Sequence, residues 1–345
     1  MALKKLSFLN KILFLINSLL AFALIFALFL PRLAPEDFGE ITVLSLLTPI
    51  LILLNIIFLI YWILAGFKKQ LLQPFLVLVL TYFLLPYFYI FDQNDAVTLS
   101  KNNLSVLTYN VRKFNQYKWL ATENVPEKIK KLITVEAPDV VLLQEYTKTE
   151  QFRLNYPYSY NHYNKIGKNK VQTGLAIFSK YPIANKASLK VVKYNSSIIY
   201  ADIVKSNDTI RVYNFHLESL GIDPKKNYYD YTKSKNIIKR LGNSFKTQQK
   251  EVISLKESIK NCPYKIVLGG DMNNNAFSWT YKNLQTDFTD SFSVMGNGFG
   301  TTYSFNGFPL RIDYIFADKS MKVVSHKNYD LGLSDHNPIM ATMNL

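Results

Sequence analysis

Hydrophobic and polar positions are distributed differently in the first 91 residues and in the rest of the chain. Ile12 to Leu30, Ile41 to Phe67 and Leu71 to Phe91 are long apolar runs without a charged residue. Each approaches or exceeds the ~20 residues a helix needs to cross a bilayer. Pro49, Pro74 and Pro86 start or kink such helices without vetoing them, because neighbouring helices can satisfy the freed carbonyls. Lys4, Lys5 and Lys11 give the first run the basic flank of a signal peptide, but the run is too long for one and two more follow. The pattern therefore predicts three transmembrane helices, at 12–30, 41–67 and 71–91. A linker at 92–103 and a separate domain over 104–345 are expected to follow.

From residue 104 the pattern changes to short β-branched runs of buried-strand type: Ser105-Val-Leu-Thr-Tyr, Asp139-Val-Val-Leu-Leu, Gly174-Leu-Ala-Ile-Phe, Thr209-Ile-Arg-Val-Tyr-Asn-Phe and Lys265-Ile-Val-Leu-Gly. Helical periodicity lies between them, at Glu127-Lys-Ile-Lys-Lys-Leu-Ile and over the stretch that begins at Gln249. This alternation predicts an α/β (α+β) domain in which two sheets pack face to face with helices outside. Each strand ends in a polar residue. Lone carboxylates, amides and imidazoles at strand ends can meet on one rim, where a hard cation and a phosphate are held together without burying unpaired charge.

Charge sharpens the picture. The first 91 residues hold six lysines and arginines against three acids, so +12 of the net +15 belongs to the remainder. Such a surface favours polyanions such as nucleic acid, through counterion release, or an anionic lipid leaflet. The segment from Lys225 to Arg240 mixes cations with tyrosines, as a groove that stacks bases or dips into headgroups would, although a solvated lysine surface has the same composition. Lys4, Lys5, Lys11, Lys68 and Lys69 flank the N-terminus and the second loop, whereas the loop from Pro31 to Glu40 is acidic. By the positive-inside rule an odd number of spans then carries the C-terminal domain out of the cytoplasm, with the chain anchored in the inner or cell membrane. Cys262 is the single cysteine, so no internal disulfide forms, and its placement before Pro263 suits a structural role.

The chemistry-bearing segments are Leu107-Thr-Tyr-Asn110, Leu142-Leu-Gln144-Glu145, Asn214-Phe-His216-Leu, Gly269-Gly-Asp271-Met-Asn273, Arg311-Ile-Asp313-Tyr and Ser334-Asp335-His336-Asn-Pro. Singly, most would pass for Asx turns or a core histidine. Together, over residues 104–345, they resemble the endonuclease/exonuclease/phosphatase superfamily, metal-dependent phosphodiesterases and phosphatases related to pancreatic deoxyribonuclease, abasic-site endonucleases, sphingomyelinases and inositol phosphatases. The resemblance implies a deoxyribonuclease I-like two-sheet sandwich. It implies a divalent cation, Mg²⁺ or Mn²⁺, on Glu145, with Asp335 and Asn110 beside it; oxygen donors without a Cys or His cluster disfavour zinc. Asn110 and Asn214 are expected at the phosphate. Asp271 would orient or deprotonate water, Asn273 would donate to phosphorus oxygens, and the glycines before them would let backbone approach the phosphate. Asp313 would orient His336, making that pair a candidate general base in competition with Asp271, while His216 would protonate the leaving oxygen. Arg112 stands where the abasic-endonuclease branch tends to carry an acid, so a second metal is not implied, and His162 and His326 are expected on the surface. The leading expectation is a membrane-anchored nuclease acting on a phosphodiester. A phospholipid or inositol-phosphate hydrolase is the alternative, and an inactive scaffold is disfavoured because every motif residue is present. No protein partner can be inferred.

Overall fold

The N-terminal apolar stretches fold as helices, the one local structure that satisfies a backbone surrounded by apolar side chains. α1 (Phe8–Ala27) leads into a loop containing the short helix α2 (Pro35–Thr42) and a tight 3-10 turn, Val43–Leu47, before α3 (Thr48–Ala65) and α4 (Lys68–Leu84). The computed structural model describes residues 6–66, 68–91, 102–166, 171–189, 191, 197–222, 231–305 and 307–345. Most of the expected linker and the first six residues of the basic, tyrosine-rich segment, 225–230, lie outside the described residues.

Polar contacts register the helices. Tyr61 donates to Asn10, the Trp62 indole donates to Asn17 at 3.0 Å, and Ser18 donates to Gln73 at 3.1 Å. Asn55 donates to the Leu20 carbonyl while Tyr61 reaches back to Asn10, so α1 and α3 run antiparallel, joined by the interhelical hydrogen bonds typical of apolar bundles. Two stretches, Phe8–Arg32 and Pro35–Ala65, are long and apolar enough to cross a bilayer by length and composition. Only 28% and 33% of their most apolar windows are buried, so most of that surface faces outward, unlike the core helix of a soluble protein. The third expected span, 71–91, forms a shorter helix than the run itself. α4 is a 17-residue helix ending at Leu84. Pro86 cannot continue a helix, and Ile90 instead forms an isolated antiparallel bridge with Gly298 in the C-terminal region.

The C-terminal region is a sandwich of two six-stranded sheets. Along the chain come β1 (Asn103–Asn110), α5 (Val125–Glu136), β2 (Val140–Tyr146), β3 (Tyr158–Ile166), β4 (Val171–Ser179), β5 (Ile183–Leu189), β6 (Ile198–Lys205), β7 (Asp208–His216), α6 (Tyr231–Lys260) and β8 (Lys265–Asp271). α7 (Trp279–Gln285), β9 (Phe288–Asp290), α8 (Ser291–Met295), the hairpin β10 (Tyr303–Phe305) and β11 (Phe308–Leu310), β12 (Asp313–Asp318), β13 (Lys322–Asn328) and β14 (Ile339–Asn344) complete it. One sheet has the order β13-β14-β1-β2-β4-β3 and the other β5-β6-β7-β8-β12-β9. Period-two alternation sorts the side chains: Val106, Leu142, Ile177, Val212, Val267 and Ile315 fill the space between the sheets. Leu107 and Leu143 face outward onto Ile129 and Ile133 of α5, and Tyr213 and Leu268 onto Val252 and Leu255 of α6.

The helical N-terminus is docked on this sandwich. Gln249 of α6 accepts from the Glu36 amide at 2.8 Å. Glycines permit the approach, since a Cβ at Gly242 would lie 3.0 Å from the Gly39 carbonyl carbon. Phe277, just beyond β8, packs with Leu24, Leu28, Ile52 and Leu85 and closes the end of the helix group. Asn275 donates to the Ser45 carbonyl at 3.1 Å.

α6 also buries Glu251, which accepts the Glu218 amide at 2.9 Å. Burial pushes its carboxyl up to about 7, with the neighbouring Glu218 adding to the rise. The folded state therefore holds a proton that the unfolded chain releases near 4.5, and stability falls as pH rises from about 4.5 to 7. Glu251→Gln should remove this dependence and gain up to about 3 kcal/mol above pH 7, with little gain at pH 4.5. Thermal unfolding of the detergent-solubilised chain against pH measures it.

Candidate active site

Strand register assembles the site. In the second sheet His216 pairs with Asp271 across the parallel β7 and β8, and Asp271 pairs with Asp313 across β8 and β12, so three titratable residues stand in a row at one sheet edge. In the first sheet Asn110 pairs with Gln144, which places Glu145 next along the same rim. Glu145 has a left-handed backbone (φ 46°) at the point where β2 slips register against β4. Such bulges re-aim a side chain at a strain cost of order 1–3 kcal/mol. Asn110, Glu145, His216, Asp271, Asn273, Asp335 and His336 all line one cavity of about 970 Å³.

Asp271 is the hub. It is fully buried. Its Oδ1 accepts the Asn273 amide at 2.8 Å, and its Oδ2 accepts Asn110 Nδ2 at 3.0 Å. The same Oδ2 lies 3.5 Å from His216 Nε2 and 3.7 Å from His336 Nε2. On its other side His336 bonds Asp313 Oδ2 through Nδ1 at 2.9 Å. Burial alone would lower the His336 pKa, but Asp313 and Asp271 overcome it and push it up to about 10. Burial also lifts the Asp313 carboxyl above its ordinary range. His336 sets the balance, because a charged imidazolium is the partner that a carboxylate buried beside it requires.

Other groups hold the rim. Ser334 Oγ donates to the Asn110 carbonyl at 2.8 Å and accepts the His336 amide at 3.3 Å. Arg112 bridges to Asp335 at 3.2 Å and lies over the Trp119 ring at 4.6 Å. It opens a run, Arg112 to Asn115, of left-handed residues.

Several expectations need correction. Asn214 does not reach the cavity: it is fully buried between the sheets, where it donates to the Leu143 and Ala176 carbonyls at 2.9 Å and accepts from Gln144 at 2.7 Å. Depth along the strand explains this: the two residues share a face, but His216 lies at the rim while Asn214 is one pleat deeper, between the sheets. Asn110 lines the cavity, but its amide oxygen already accepts the Arg112 amide at 3.1 Å and its nitrogen serves Asp271. Gly270 is demanded not by a phosphate but by β7: its φ is +153°, and a Cβ there would sit 1.9 Å from the Phe215 carbonyl oxygen. His326 is not a surface residue in the sense expected, because its ring packs on Phe292 and its Nδ1 meets Ser291 at 2.9 Å, with burial lowering its pKa to about 4. His162 is half-buried on β3.

Sequence reading missed Thr302, whose buried hydroxyl accepts the Ile312 and Asp313 amides at 3.0 and 3.1 Å and so fixes Asp313. It also missed Leu46 and Ile50, which line the same cavity from the helical N-terminus. Neither carried a local signal, since a threonine in a loop and a leucine or isoleucine in an apolar run look like any other.

Residues 107–336 match the endonuclease/exonuclease/phosphatase family, and residues 10–88 match a domain of unknown function (DUF8431). No curated protein matches the chain by sequence. Among solved structures it is similar to an endonuclease/exonuclease/phosphatase from Beutenbergia cavernae DSM 12333, with 17% identity and a TM-score of 0.53 over 71% of this chain and 72% of that one. An endonuclease/exonuclease/phosphatase from Bacteroides vulgatus shows 17% identity and a TM-score of 0.53 over 71% of this chain and all of that one (100%). Humanized D. rerio TDP2 gives 18% identity and a TM-score of 0.53, again with 71% and 100% coverage. These likenesses establish the fold.

The placement of Asn214 is testable. Asn214→Ala strands two buried carbonyls and the Gln144 amide, and should cost about 3 kcal/mol or more. Denaturant unfolding would show this loss while the KM of the folded fraction stays unchanged; a raised KM at unchanged stability would restore the phosphate-contact role.

Proposed function

The chain belongs to the endonuclease/exonuclease/phosphatase family, and from that membership and the site geometry we propose a metal-dependent phosphoester hydrolase anchored in a membrane by its N-terminal helices. The observation that carries this reading is the single buried carboxylate oxygen of Asp271 shared by Asn110, His216 and His336 on the wall of a cavity that Glu145 and Asp335 also face.

The donor chemistry fits a hard cation. Glu145 and Asp335 present carboxylates to one cavity with the Asn110 amide beside them, and no thiol lines it. These residues would hold Mg²⁺ or Mn²⁺, which when bound neutralises phosphoryl charge and polarises the phosphorus–oxygen bonds. Asp271, Asp313 and His336 also bring donor atoms within 4.8 Å of one another. That trio is a poor cage, because His336 is committed to Asp313 and carries a proton.

The protein groups divide the remaining work. Asp271, fixed through both oxygens, takes the proton of the attacking water. His336, kept charged by two carboxylates, donates to a phosphoryl oxygen as negative charge builds there. This assignment favours Asp271 over the Asp313 and His336 pair as general base. Asn273 uses one amide hydrogen on the Leu217 carbonyl at 2.9 Å and has the other for the phosphate. His216, at the rim, serves the leaving oxygen. Arg112 supplies a fixed cation beside Asp335 in place of the acid expected of a two-metal site.

The anchor reading rests on connectivity. α1 and α4 end, and α3 begins, against the sandwich, which leaves the start of α1, the end of α3 and the start of α4 at the far end of the bundle. α4 spans about 26 Å against a hydrocarbon core of about 30 Å, a mismatch that its flanking lysines can relieve by snorkelling. With α4 taken as a third crossing, the positive-inside rule puts the sandwich on the extracytoplasmic side in this reading.

Two outcomes test the proposal. Glu145→Gln, Asp271→Asn and His336→Ala should each lower hydrolysis of bis(4-nitrophenyl) phosphate at least ~100-fold without loss of the folded protein, and EDTA should abolish it. Retained activity in all three variants, or indifference to EDTA, would overturn the reading. Alkaline phosphatase fused after Leu345 should be active in cells, and a fluorescent protein that matures only in the cytoplasm should be dark there; the reverse pair would mean that an even number of helices crosses.

A further inference from the structure

The active-site cavity has an apolar wall built partly from the anchor itself. Leu46 belongs to the 3-10 turn Val43–Leu47 and Ile50 to the first helical turn of α3, yet both line the cavity that holds Glu145, Asp271 and His336. Leu220, Phe305, Phe308 and Leu310 extend that wall. The charged floor and the apolar wall are separated by very little chain. The Tyr303 ring lies 5.1 Å from the His336 ring at a tilt of 55°, and Phe305 is two residues further along the same strand. Asn273 is two residues before Asn275, whose side chain is bonded to the Ser45 carbonyl.

This wall is continuous with surface that faces lipid in the anchored reading. Leu44, Leu47 and Ile50 are exposed on the turn and on the start of α3, and Ile57, Ile60 and Leu64 continue the exposed apolar surface along that helix. Tyr82, Tyr87 and Tyr89 are exposed at the end of α4 that meets the sandwich. Amphipathic aromatics of this kind settle at the headgroup level of a bilayer. The cavity mouth and this aromatic group therefore lie at the same, sandwich-facing end of the helix bundle.

We propose that the substrate is a phosphoester carried on a lipid of the adjoining leaflet, entering the cavity sideways past Leu46 and Ile50. Its phosphate lies between Glu145, Asp335 and His336, and the first part of its hydrocarbon lies along Leu46, Ile50 and Phe308. The aliphatic side chains of Leu46, Ile50, Leu220 and Leu310 suit hydrocarbon better than a flat base, and leaving them bare in water would be unfavourable. A lipid covers this wall with apolar contact while its charged head pairs with the polar floor. The anchor is then one side of the binding site and not only a tether. This inference rests on the phosphoesterase reading and narrows its substrate.

The test uses the full-length protein with Mg²⁺ in vesicles of equal parts phosphatidylethanolamine, phosphatidylglycerol and phosphatidic acid. Phosphorus NMR follows loss of lipid phosphoester, and bis(4-nitrophenyl) phosphate is assayed on the same samples. The expected result is lipid hydrolysis whose rate, relative to the soluble ester, falls at least ~10-fold in Leu46→Ser, in Ile50→Ser and in Phe308→Ser. Leu47→Ser, exposed on the same turn but outside the cavity, should keep the wild-type ratio. Turnover of the soluble ester without lipid hydrolysis, or cleavage of plasmid DNA in place of lipid, overturns the lipid assignment alone. An unchanged ratio in all three wall variants overturns the sideways route. Turnover of neither the lipid nor the soluble ester overturns the phosphoesterase reading and this inference with it.

Discussion

A carboxylate with no exposure to water is the constraint on which the rest of the site depends. Asp271 ends a central strand, and a charge in that position is costly unless every lone pair has a partner. The fold supplies those partners from three directions: Asn110 across the sandwich, the Asn273 amide from its own loop, and His216 and His336 from the neighbouring strand and the last loop. Removing any one of them leaves the carboxylate less well compensated. For that reason the site and the stability of the strand ends cannot be separated.

The same loop joins the site to the helices. Within the few residues after Asp271, Asn275 bonds the turn before α3 and Phe277 plugs the end of the helix group. α2 lies on α6 through two glycines. A flexible tether would have left the sandwich free to turn in any direction. Docking at several places instead fixes which way the cavity faces, and makes the position of the helices a determinant of what can enter.

Electrostatics are arranged to favour one polarity at the cavity. Asp271, Asp313 and Asp335 are offset within the site by charged His336 and by Arg112, the latter steadied over Trp119. A phosphate entering this site meets cationic groups at fixed positions, with little reorganisation needed as charge develops. The basic surface farther out can concentrate anions but has no such geometry.

Much of this was legible in the sequence. Period-two runs ending in Asn110, Glu145, His216 and Asp271 mark strands whose polar ends share a rim, because the alternation of a strand decides locally which residues face a core. The long apolar runs likewise determine helices. What sequence could not settle were matters of register and docking. Asn214 and His216 are two residues apart, and only the pairing of β7 against β8 and the first sheet decides that one is sealed between sheets while the other reaches the cavity. Gly270 looked like room for a phosphate and proved to be room for the carbonyl of the neighbouring strand. The third apolar run forms only a 17-residue helix, because Pro86 and the bridge between Ile90 and Gly298 draw its end onto the sandwich. Leu46 and Ile50 read as two more apolar residues in an apolar run, since a hydrophobic pattern records only that a side chain avoids water. Which surface it meets instead is decided by contacts between segments more than two hundred residues apart, and those exist only in the folded chain.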